Sequence, residues 1–529
     1  MTWESTDDQT ISLGYGKSNK VTLPENYHKD FFKEKHLINE LSLVEDEKFI
    51  CSLTQLENLV GCISCDICGQ KRKVKKHGFI GSVAEVWLEC ENKHAMKWSS
   101  SETVNGVYAI NLQLLSSIIL SGNLYVKVSL LAKLLNLKIP SDVSFYRIAK
   151  HYVNPTVDEW WEEMQSLIFR LFAGKEVTLG GDGRNDSPGH CATYCTYSFI
   201  DTVSDLIVHQ EIVDVRDANM KSPNMEKLGC KKGLDKLQKN MKVRGFVTDD
   251  HSQISAMLKN DNSFTEIKFQ KDVWHKSAKL TKKLVQVANE RGNDNIRNWI
   301  PAIRNHFWYC SETCNGNLDV FKDKWLSLLK HLCNMHYQCN HGCLDTTGRA
   351  DWFSATDSDF QQIRGIILDK KFLNSLKFYT DFRHTGQLEV FHNHLLMYCP
   401  KRVFFNYPAY KVRNRLALID HNHHCNRLQA RNENGDLLYS RRWSKKAGRW
   451  IPTITKEPKD YSYVSRLLAA VMNKRRNDSG KVERHKPLSE EDPRWKSRTI
   501  VKLPARATDV LVDEKNRDSP NKNKKTFCT

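Results

Sequence analysis

The sequence lacks any long apolar run. No segment reaches the ~18 consecutive apolar residues that a membrane-spanning helix needs, and the chain starts with the polar, acidic stretch MTWESTDDQT. This stretch does not resemble the apolar core of a secretory signal peptide. We therefore expect no membrane partner and a reducing compartment. There the 16 cysteines suit metal sites better than disulfides.

An excess of positive charge is also missing from most of the chain. The first 400 residues carry 49 Lys/Arg and 48 Asp/Glu, whereas residues 401–529 carry 31 and 14 and supply nearly all of the formal net charge of +18. A basic segment of this kind usually meets a polyanion, most often nucleic acid. We name as candidate contacts, mostly from this region, Arg184, Arg402, Arg413, Arg415, Arg427, Arg441, Arg442, Lys445 and Lys446.

A first group of metal ligands lies near residue 65. CDICGQ contains a Cys-x2-Cys pair, and VWLECENKH ends in Cys-x3-His after a strand-like stretch. This layout is that of a zinc ribbon, whose ion supplies folding energy to a small module. We expect structural Zn²⁺, with Cys62 as an alternative ligand and buried free thiols as the alternative interpretation. The expected ligands are Cys65, Cys68, Cys90 and His94.

Residues 175–285 have strand-rich patterns. EVTLGGD predicts a strand that ends at Asp182, and HCATYCTYSFIDT and LIVHQEIVDV predict two more. A helix, the strand VRGFVT before Asp249, another helix and the strand TEIKFQKDVWH follow. This order predicts an RNase H-like fold with a mixed five-stranded sheet. Its first and fourth strands are neighbours, so we expect Asp182 and Asp249 to lie close together.

A third acid follows on a later helix. In DFRHTGQLEVFHNHLLMYCPKR, apolar residues at 388, 391, 395 and 398 form one helical face, and Glu389 lies beside it. Three converging carboxylates would bind two Mg²⁺ or Mn²⁺ ions for phosphodiester chemistry. The alternative is that Asp182 and Asp249 cap turns or helices.

The strings GGDGRNDSPGHCATYCTY, VTDDHSQI, DVWH and HTGQLEVFHNHLLMYCPKR together resemble the core of Kolobok-type cut-and-paste DNA transposases. RLALIDHNHHCNR and KEPKDYSYVSRLLAAV resemble the C-terminal blocks of that group, and the likeness covers roughly residues 50–475. The resemblance implies a DDE transposase with the triad Asp182, Asp249 and Glu389. Such an enzyme hydrolyses a phosphodiester at transposon ends and joins the 3′-hydroxyl to target DNA, expected at TTAA. It also implies double-stranded DNA as partner, a dimer or larger synaptic assembly and, with the basic run KRRNDSGKVERHK, a nuclear location.

Some positions depart from the pattern or leave alternatives open. Asp250 stands where a non-acidic residue is expected and rivals Asp249. Asp272 and His275 match a Cys/Asp-x2-His element that braces the site or binds substrate, although His275 is equally consistent with a structural role. No THAP zinc finger is evident, so recognition of transposon ends would fall to the ribbon, the helical segment or the basic region. A derived protein that binds or assembles on DNA without cleavage is the main alternative, ahead of a nuclease that cuts without joining.

The 139 residues between Asp249 and Glu389 exceed what an RNase H-like core needs and predict a helical insertion. Within it, CNMHYQCNHGC suggests a second zinc site, although its spacing matches no standard site. The candidate ligands are Cys314, His336, Cys339 and His341.

The expected segments follow from these patterns. They are a poorly ordered N-terminus (1–50), the ribbon (51–105), a helical DNA-binding or dimerisation segment (106–172), the core's first part (173–285), the insertion (286–380), the core's last helix (381–405), a basic DNA-binding region (406–475) and a disordered tail (476–529).

Overall fold

A computed structural model describes residues 21–24, 27, 37–188, 191–337, 339, 351–445 and 448–478. The candidate ligand His341 and the candidate DNA contact Lys446 lie outside the described residues, as do much of the segment 1–50 and nearly all of 476–529. The described chain is a mixed α/β protein.

The N-terminal part contains a small antiparallel sheet. Its strands pair in the order β1-β2-β3, and the loops before β1 and between β2 and β3 carry the Cys/His ligands. The elements are α1 (Ile38–Glu45), α2 (Leu53–Gly61), β1 (Arg72–Ile80), β2 (Val83–Cys90) and β3 (Ala95–Ser99).

A short hairpin and a helical segment follow. The last helix buries Trp160, Met164 and Ile168 at helical spacing, and proline in its first turn suits a helix start. The elements are β4 (Thr103–Val104), β5 (Val107–Tyr108), α3 (Ala109–Leu120), α4 (Tyr125–Leu134), α5 (Asp142–Ile148), a π-helical turn (Ala149–Val153) and α6 (Asn154–Phe172).

The central sheet has five strands in the order β10-β9-β6-β7-β8. The first three strands in sequence form an antiparallel meander, and β9 runs parallel to both β6 and β10. The predicted mixed five-stranded sheet is thus confirmed. Its elements are β6 (Glu176–Asn185), β7 (Tyr194–Asp201), β8 (Ile207–Asp214), α7 (Pro223–Gln238), β9 (Lys242–Thr248), α8 (Ser252–Asn260) and β10 (Lys268–Lys271).

The prediction that the first strand ends at Asp182 is wrong. β6 continues to Asn185, because β7 keeps pairing with it as far as the pair Asn185 and Cys195. The parallel pairing with β9 stops earlier, at Gly180 and Val247. Asp182 therefore lies in the last part of β6, which pairs with β7 alone.

The insertion is helical and has its own core. That core starts at Val273 and ends at Phe382, so α9 packs with the insertion although the sequence analysis placed residues up to 285 in the catalytic core. Trp299, Phe307 and Trp325 are fully buried in it. The helices are α9 (Val273–Ala288), α10 (Ile296–Thr313), α11 (Leu318–Leu332), α12 (Ser358–Ile367) and α13 (Lys370–Ser375).

The last part returns to the sheet. α14 packs on β6, and α15 packs on α14, α6 and β8, while α1 packs on α16. The elements are α14 (Gly386–Tyr398), α15 (Tyr407–His424), β11 (Tyr439–Ser444), β12 (Arg449–Ile454) and α16 (Ser462–Arg476). Among the helices of the described residues, none combines the length and apolarity that crossing a bilayer requires.

Candidate functional site

Asp182, within β6, and Asp249, the residue that follows β9, lie close together at one edge of the central sheet. The last residues that pair between β6 and β9 are Gly180 and Val247, and each aspartate lies two residues further along the chain. Neighbouring strands are about 4.8 Å apart. Burial is the largest cause of the raised pKa of Asp249, and the charge of Asp182 is the next. The structure therefore brings these two predicted residues together.

Glu389 reaches the same edge of the sheet on the first turn of α14. Its Oε1 lies 3.4 Å from His275 Nε2. His392, one turn further along α14, places Nδ1 3.3 Å from Asp182 Oδ2. His275 also acts electrostatically on Asp249. Two histidines thus link the three predicted acids, since His275 neighbours Glu389 and Asp249 and His392 contacts Asp182. The Glu389 side chain is 48% exposed.

Asp272 joins the first turns of two helices. Its Oδ1 accepts a hydrogen bond from the backbone N–H of His275 at 2.9 Å, which caps α9. Its Oδ2 accepts hydrogen bonds from the backbone N–H and the hydroxyl of Thr385, just before α14. Because α14 carries Glu389, these hydrogen bonds tie the helix of the third predicted acid to the start of α9. Whether the Asp-x2-His element braces the site or binds substrate stays a prediction.

The Asp250 carboxylate contacts different partners from those of Asp249. Lys271 and Lys279 both form ion pairs with its carboxylate, the second at 2.8 Å. Although burial acts to raise it, these lysines lower the pKa of Asp250. A carboxylate already neutralised in this way is a weaker candidate for a metal ligand than Asp249.

Glu226 is a fourth acid at the site, which the sequence analysis missed. It lies on α7, and burial together with the charges of Asp182 and Asp249 raises its pKa to about 8. Its side chain reaches the site across Gly183, where an added Cβ would lie only 2.5 Å from the Glu226 Cγ. The glycine after Asp182 therefore makes room for Glu226.

The donor set at this edge fits a hard divalent cation. Asp249 Oδ1 is buried, and no hydrogen-bond partner for it is found among the described residues. Burial, and next the charges of the neighbouring carboxylates, raise the pKa values of both Asp249 and Glu226, as expected when like charges share a half-buried site. Carboxylate oxygens are the ligands that Mg²⁺ and Mn²⁺ prefer.

The four predicted ligands of the ribbon lie together. Cys65 Sγ and Cys90 Sγ lie 3.6 and 3.5 Å from His94 Nδ1, and Cys68 Sγ lies 3.6 Å from Cys90 Sγ. This group could hold a metal ion, and Zn²⁺ prefers such ligands, with Zn–S bonds of ~2.3 Å. Cys62 is exposed and donates its S–H to the Asn58 carbonyl instead.

Backbone hydrogen bonds in this cluster favour the thiolate form of Cys65. Burial acts to raise the pKa of the Cys65 thiol. Hydrogen bonds from the backbone amides of Ile67 and Cys68 outweigh burial and lower this pKa to about 6. Hydrogen bonds to Cys68 and Cys65 raise the pKa of His94. Thiolates are the form of cysteine that binds metal.

The candidate second zinc site differs in membership from the prediction. Cys314 is buried in the insertion core and donates its S–H to the carbonyls of Ser311 and Thr380, each at 3.2 Å. His336 and Cys339 are instead grouped with His331. The prediction of Cys314 as a ligand is wrong because its side chain is buried in the helix core, apart from the other candidate ligands. Linear spacing does not reveal this burial.

Two of the candidate DNA contacts are interior residues. Arg184 is 4% exposed and donates to the Cys399 carbonyl. Arg413 is 5% exposed and donates to the carbonyls of Gly122, Asn123 and Tyr398. Both guanidinium groups hold chain segments together, so neither side chain is available to a DNA backbone, and these two predictions are corrected.

The other described candidates are nearer the surface. Arg415 is paired with Asp158, and Arg427 donates to the carbonyls of His424 and Glu457. The exposed members are Arg402, Arg441, Arg442 and Lys445. The last three lie on or next to the hairpin β11–β12.

Residues 217–343 match the family model of the Mutator-like transposases. The match indicates a transposase family, which implies a protein that binds DNA. The matched range contains Glu226, Asp249, Asp272 and His275. Searches of curated proteins and of solved structures found no match.

Proposed function

We propose that this protein is a Kolobok-type DDE transposase. In this proposal Asp182, Asp249 and Glu389 hold two Mg²⁺ or Mn²⁺ ions for cutting transposon ends and joining them to target DNA. The supporting observations are the matching strings along the chain and the transposase match over residues 217–343.

The observation that carries the proposal is the pairing of β6 with β9. Their parallel register brings Asp182 beside Asp249, although 67 positions separate them in sequence. The contacts from Asp272 to Thr385 and from His275 to Glu389 hold α14 at the same edge. An arrangement built from two strands and a distant helix is more specific than acids that merely cap turns.

The sheet order supports an RNase H-like core. Numbered along the chain, the strands lie in the spatial order third, second, first, fourth, fifth. The fourth and fifth strands are parallel to the first. We infer that α14, on the other side of the insertion, completes this core.

The chain's own residues have distinct roles in this proposal. Bound divalent ions would supply Lewis acidity and charge neutralisation for in-line phosphodiester displacement. Asp182, Asp249 and Glu389 would supply oxygen ligands. Asp272 positions the helix of Glu389, and His275 and His392 orient the carboxylates that they contact.

The exposed hairpin β11–β12 is the proposed DNA contact. Trp443 and Trp450 lie opposite each other, with ring centroids 5.7 Å apart and exposures of 49% and 63%. Arg441, Arg442 and Arg449 lie on the same two strands and are exposed. The major groove of DNA admits a two-stranded ribbon, and basic side chains neutralise its phosphates. The same proposal includes recognition of TTAA targets, a dimeric or larger assembly, Zn²⁺ in the ribbon and a nuclear location.

The test uses purified full-length protein, Mn²⁺ and a duplex that ends in candidate terminal repeats. We expect cleavage that leaves a 3′-hydroxyl and joining of that end to a supercoiled plasmid, with TTAA at the sequenced joints. Asp182→Asn, Asp249→Asn and Glu389→Gln should abolish both steps. Asp250→Asn is the matched control and should retain them.

Each alternative outcome has a meaning. Wild-type cleavage by Asp249→Asn would overturn the proposed site. Tight DNA binding without cleavage under any divalent ion would favour the derived DNA-binding or assembly protein. Cleavage without joining would indicate a nuclease.

A further inference from the structure

We propose that His331, His336 and Cys339 bind a second Zn²⁺ ion, which fixes the end of α11 within the helical insertion. The inference rests on the geometry of the insertion and is independent of the proposed transposase activity.

The turn after α11 brings these residues together. The helix ends at Leu332, and Asn334 adopts a left-handed conformation with φ of 59°. The backbone N–H of Asn334 donates to the His331 carbonyl at 3.0 Å, which reverses the chain. His336 thereby returns beside His331, with ring centroids 4.8 Å apart. A further turn, from Cys339 N–H to the His336 carbonyl, adds the thiol.

The distances suit a shared ion. Cys339 Sγ lies 3.5 Å from His331 Nδ1 and 3.9 Å from His336 Nδ1. All three ligand atoms lie within 4.8 Å of one another. Tetrahedral zinc, with Zn–S of ~2.3 Å and Zn–N of ~2.0 Å, separates sulfur from nitrogen by about 3.5 Å.

A supporting hydrogen bond orients one of the rings. His336 Nε2 lies 2.8 Å from the amide oxygen of Asn334. An N–H at Nε2 donates to this oxygen and leaves the Nδ1 lone pair facing Cys339. Zinc-binding histidines almost always donate the N–H of their other ring nitrogen to an oxygen acceptor.

The surroundings explain what the ion would stabilise. Trp352 lies 5.7 Å from His331 and 5.4 Å from His336, and fully buried Trp299 lies 6.0 Å from His331, all between ring centroids. The backbone N–H of Phe353 donates to the Leu332 carbonyl. An ion on these ligands would hold the turn after α11 in the shape that packs against Trp299 of α10 and against Trp352, in the chain that leads to α12. The described residues supply three of the four ligands of a closed tetrahedral site.

The experiment counts zinc atoms per chain. Full-length protein is produced with zinc, dialysed against metal-free buffer and measured by inductively coupled plasma mass spectrometry. We expect about two zinc ions per wild-type chain, since two such clusters of His/Cys ligands lie among the described residues. A wild-type content of none, or a single ion that Cys339→Ser retains, would overturn the proposal.

Variants then assign the second ion. Cys339→Ser and His336→Asn should each lose one ion, whereas Cys333→Ser, a neighbouring thiol outside the cluster, should lose none. Cys68→Ser should lose the ribbon ion alone, and adding Cys339→Ser should remove the remainder. Retention of both ions by Cys339→Ser, or loss of one by Cys333→Ser, would overturn the ligand assignment. Circular dichroism confirms that each variant is folded.

Discussion

The carboxylate of Asp272 accepts hydrogen bonds from both the backbone N–H and the hydroxyl of Thr385, at 2.6 and 2.7 Å, across 113 residues of sequence. Asp272 is buried, and its other oxygen caps α9 at His275. One carboxylate therefore sets where two helices begin. One of those helices carries His275 and the other carries Glu389.

Replacing Asp272 by Asn should weaken the site without removing a proposed metal ligand. The amide keeps the size but has only one acceptor oxygen, so one of the two helix starts loses its partner. We expect the Mn²⁺ concentration for half-maximal cleavage to rise about tenfold or more, as is typical when outer-shell partners are removed. The measurement is cleavage rate against Mn²⁺ concentration.

The control for this prediction is Asp381→Asn. Asp381 pairs with Lys268 rather than with either helix start, so its Mn²⁺ dependence should match that of the wild type. If Asp272 had only a structural role, Asp272→Asn would lower the melting temperature and leave the Mn²⁺ dependence of the folded protein unchanged. This result would contradict the positioning role.

Gly183→Ala should impair cleavage through Glu226. The new methyl group would lie 2.5 Å from the Glu226 Cγ, so the Glu226 side chain must shift from its position at the site. Displacement of a site group by about 1 Å can cost about 100-fold in rate. Single-turnover cleavage measures the effect. Gly365→Ala, where an added Cβ meets nothing within 4 Å, is the matched control, and equal rates for the two variants would exclude the role of Glu226.

The ribbon should depend on its metal for order. Among the described residues its separate hydrophobic cluster has three buried members, Val60, Val86 and Leu88, and a cluster of this size needs a metal or another crosslink. Cys68→Ser should therefore lose one zinc ion and become sensitive to protease within residues 62–104. Cys62→Ser, at the exposed alternative position, should match the wild type in both assays. Protease resistance of zinc-free Cys68→Ser would show that the fold does not need the ion.

The hairpin should contribute salt-dependent DNA affinity. Replacing Arg441, Arg442 and Arg449 by alanine removes three exposed charges. The slope of log K against log salt should become shallower by about 0.9 for each DNA phosphate that an arginine no longer neutralises. Fluorescence anisotropy with a labelled duplex between low and moderate salt measures that slope.

The control for the hairpin is Arg244→Ala, because Arg244 pairs with Glu176 and Glu266 near the start of β9, away from the site. This variant should keep the wild-type slope. An unchanged slope in the triple variant would place the DNA contact elsewhere.

Several features of this molecule follow from local sequence patterns. The order of strands and helices is sufficient to predict that the strand containing Asp182 neighbours the strand that leads to Asp249. The order of strands in such a sheet depends on their order along the chain and on their directions. The Cys-x2-Cys and Cys-x3-His spacings likewise predict the ribbon ligands, since both knuckles are formed by residues close in sequence.

Other features depend on packing between distant segments. Glu226 reaches the site only because Gly183 has no side chain, and neither residue alone signals this contact. Arg413 is interior because three carbonyls from other segments meet its guanidinium, although its sequence neighbourhood is basic. His392, three residues after Glu389, was open to prediction from helical spacing, since residues one turn apart share a face.

The most direct test of the central claim is to locate Mn²⁺ in crystals of the protein grown or soaked with that ion. Anomalous difference density should appear in contact with the carboxylates of both Asp182 and Asp249, with Glu389 at the same centre, and should be absent in Asp249→Asn. Density confined to Asp250 or to unrelated surface acids, or density that persists unchanged in Asp249→Asn, would contradict the account.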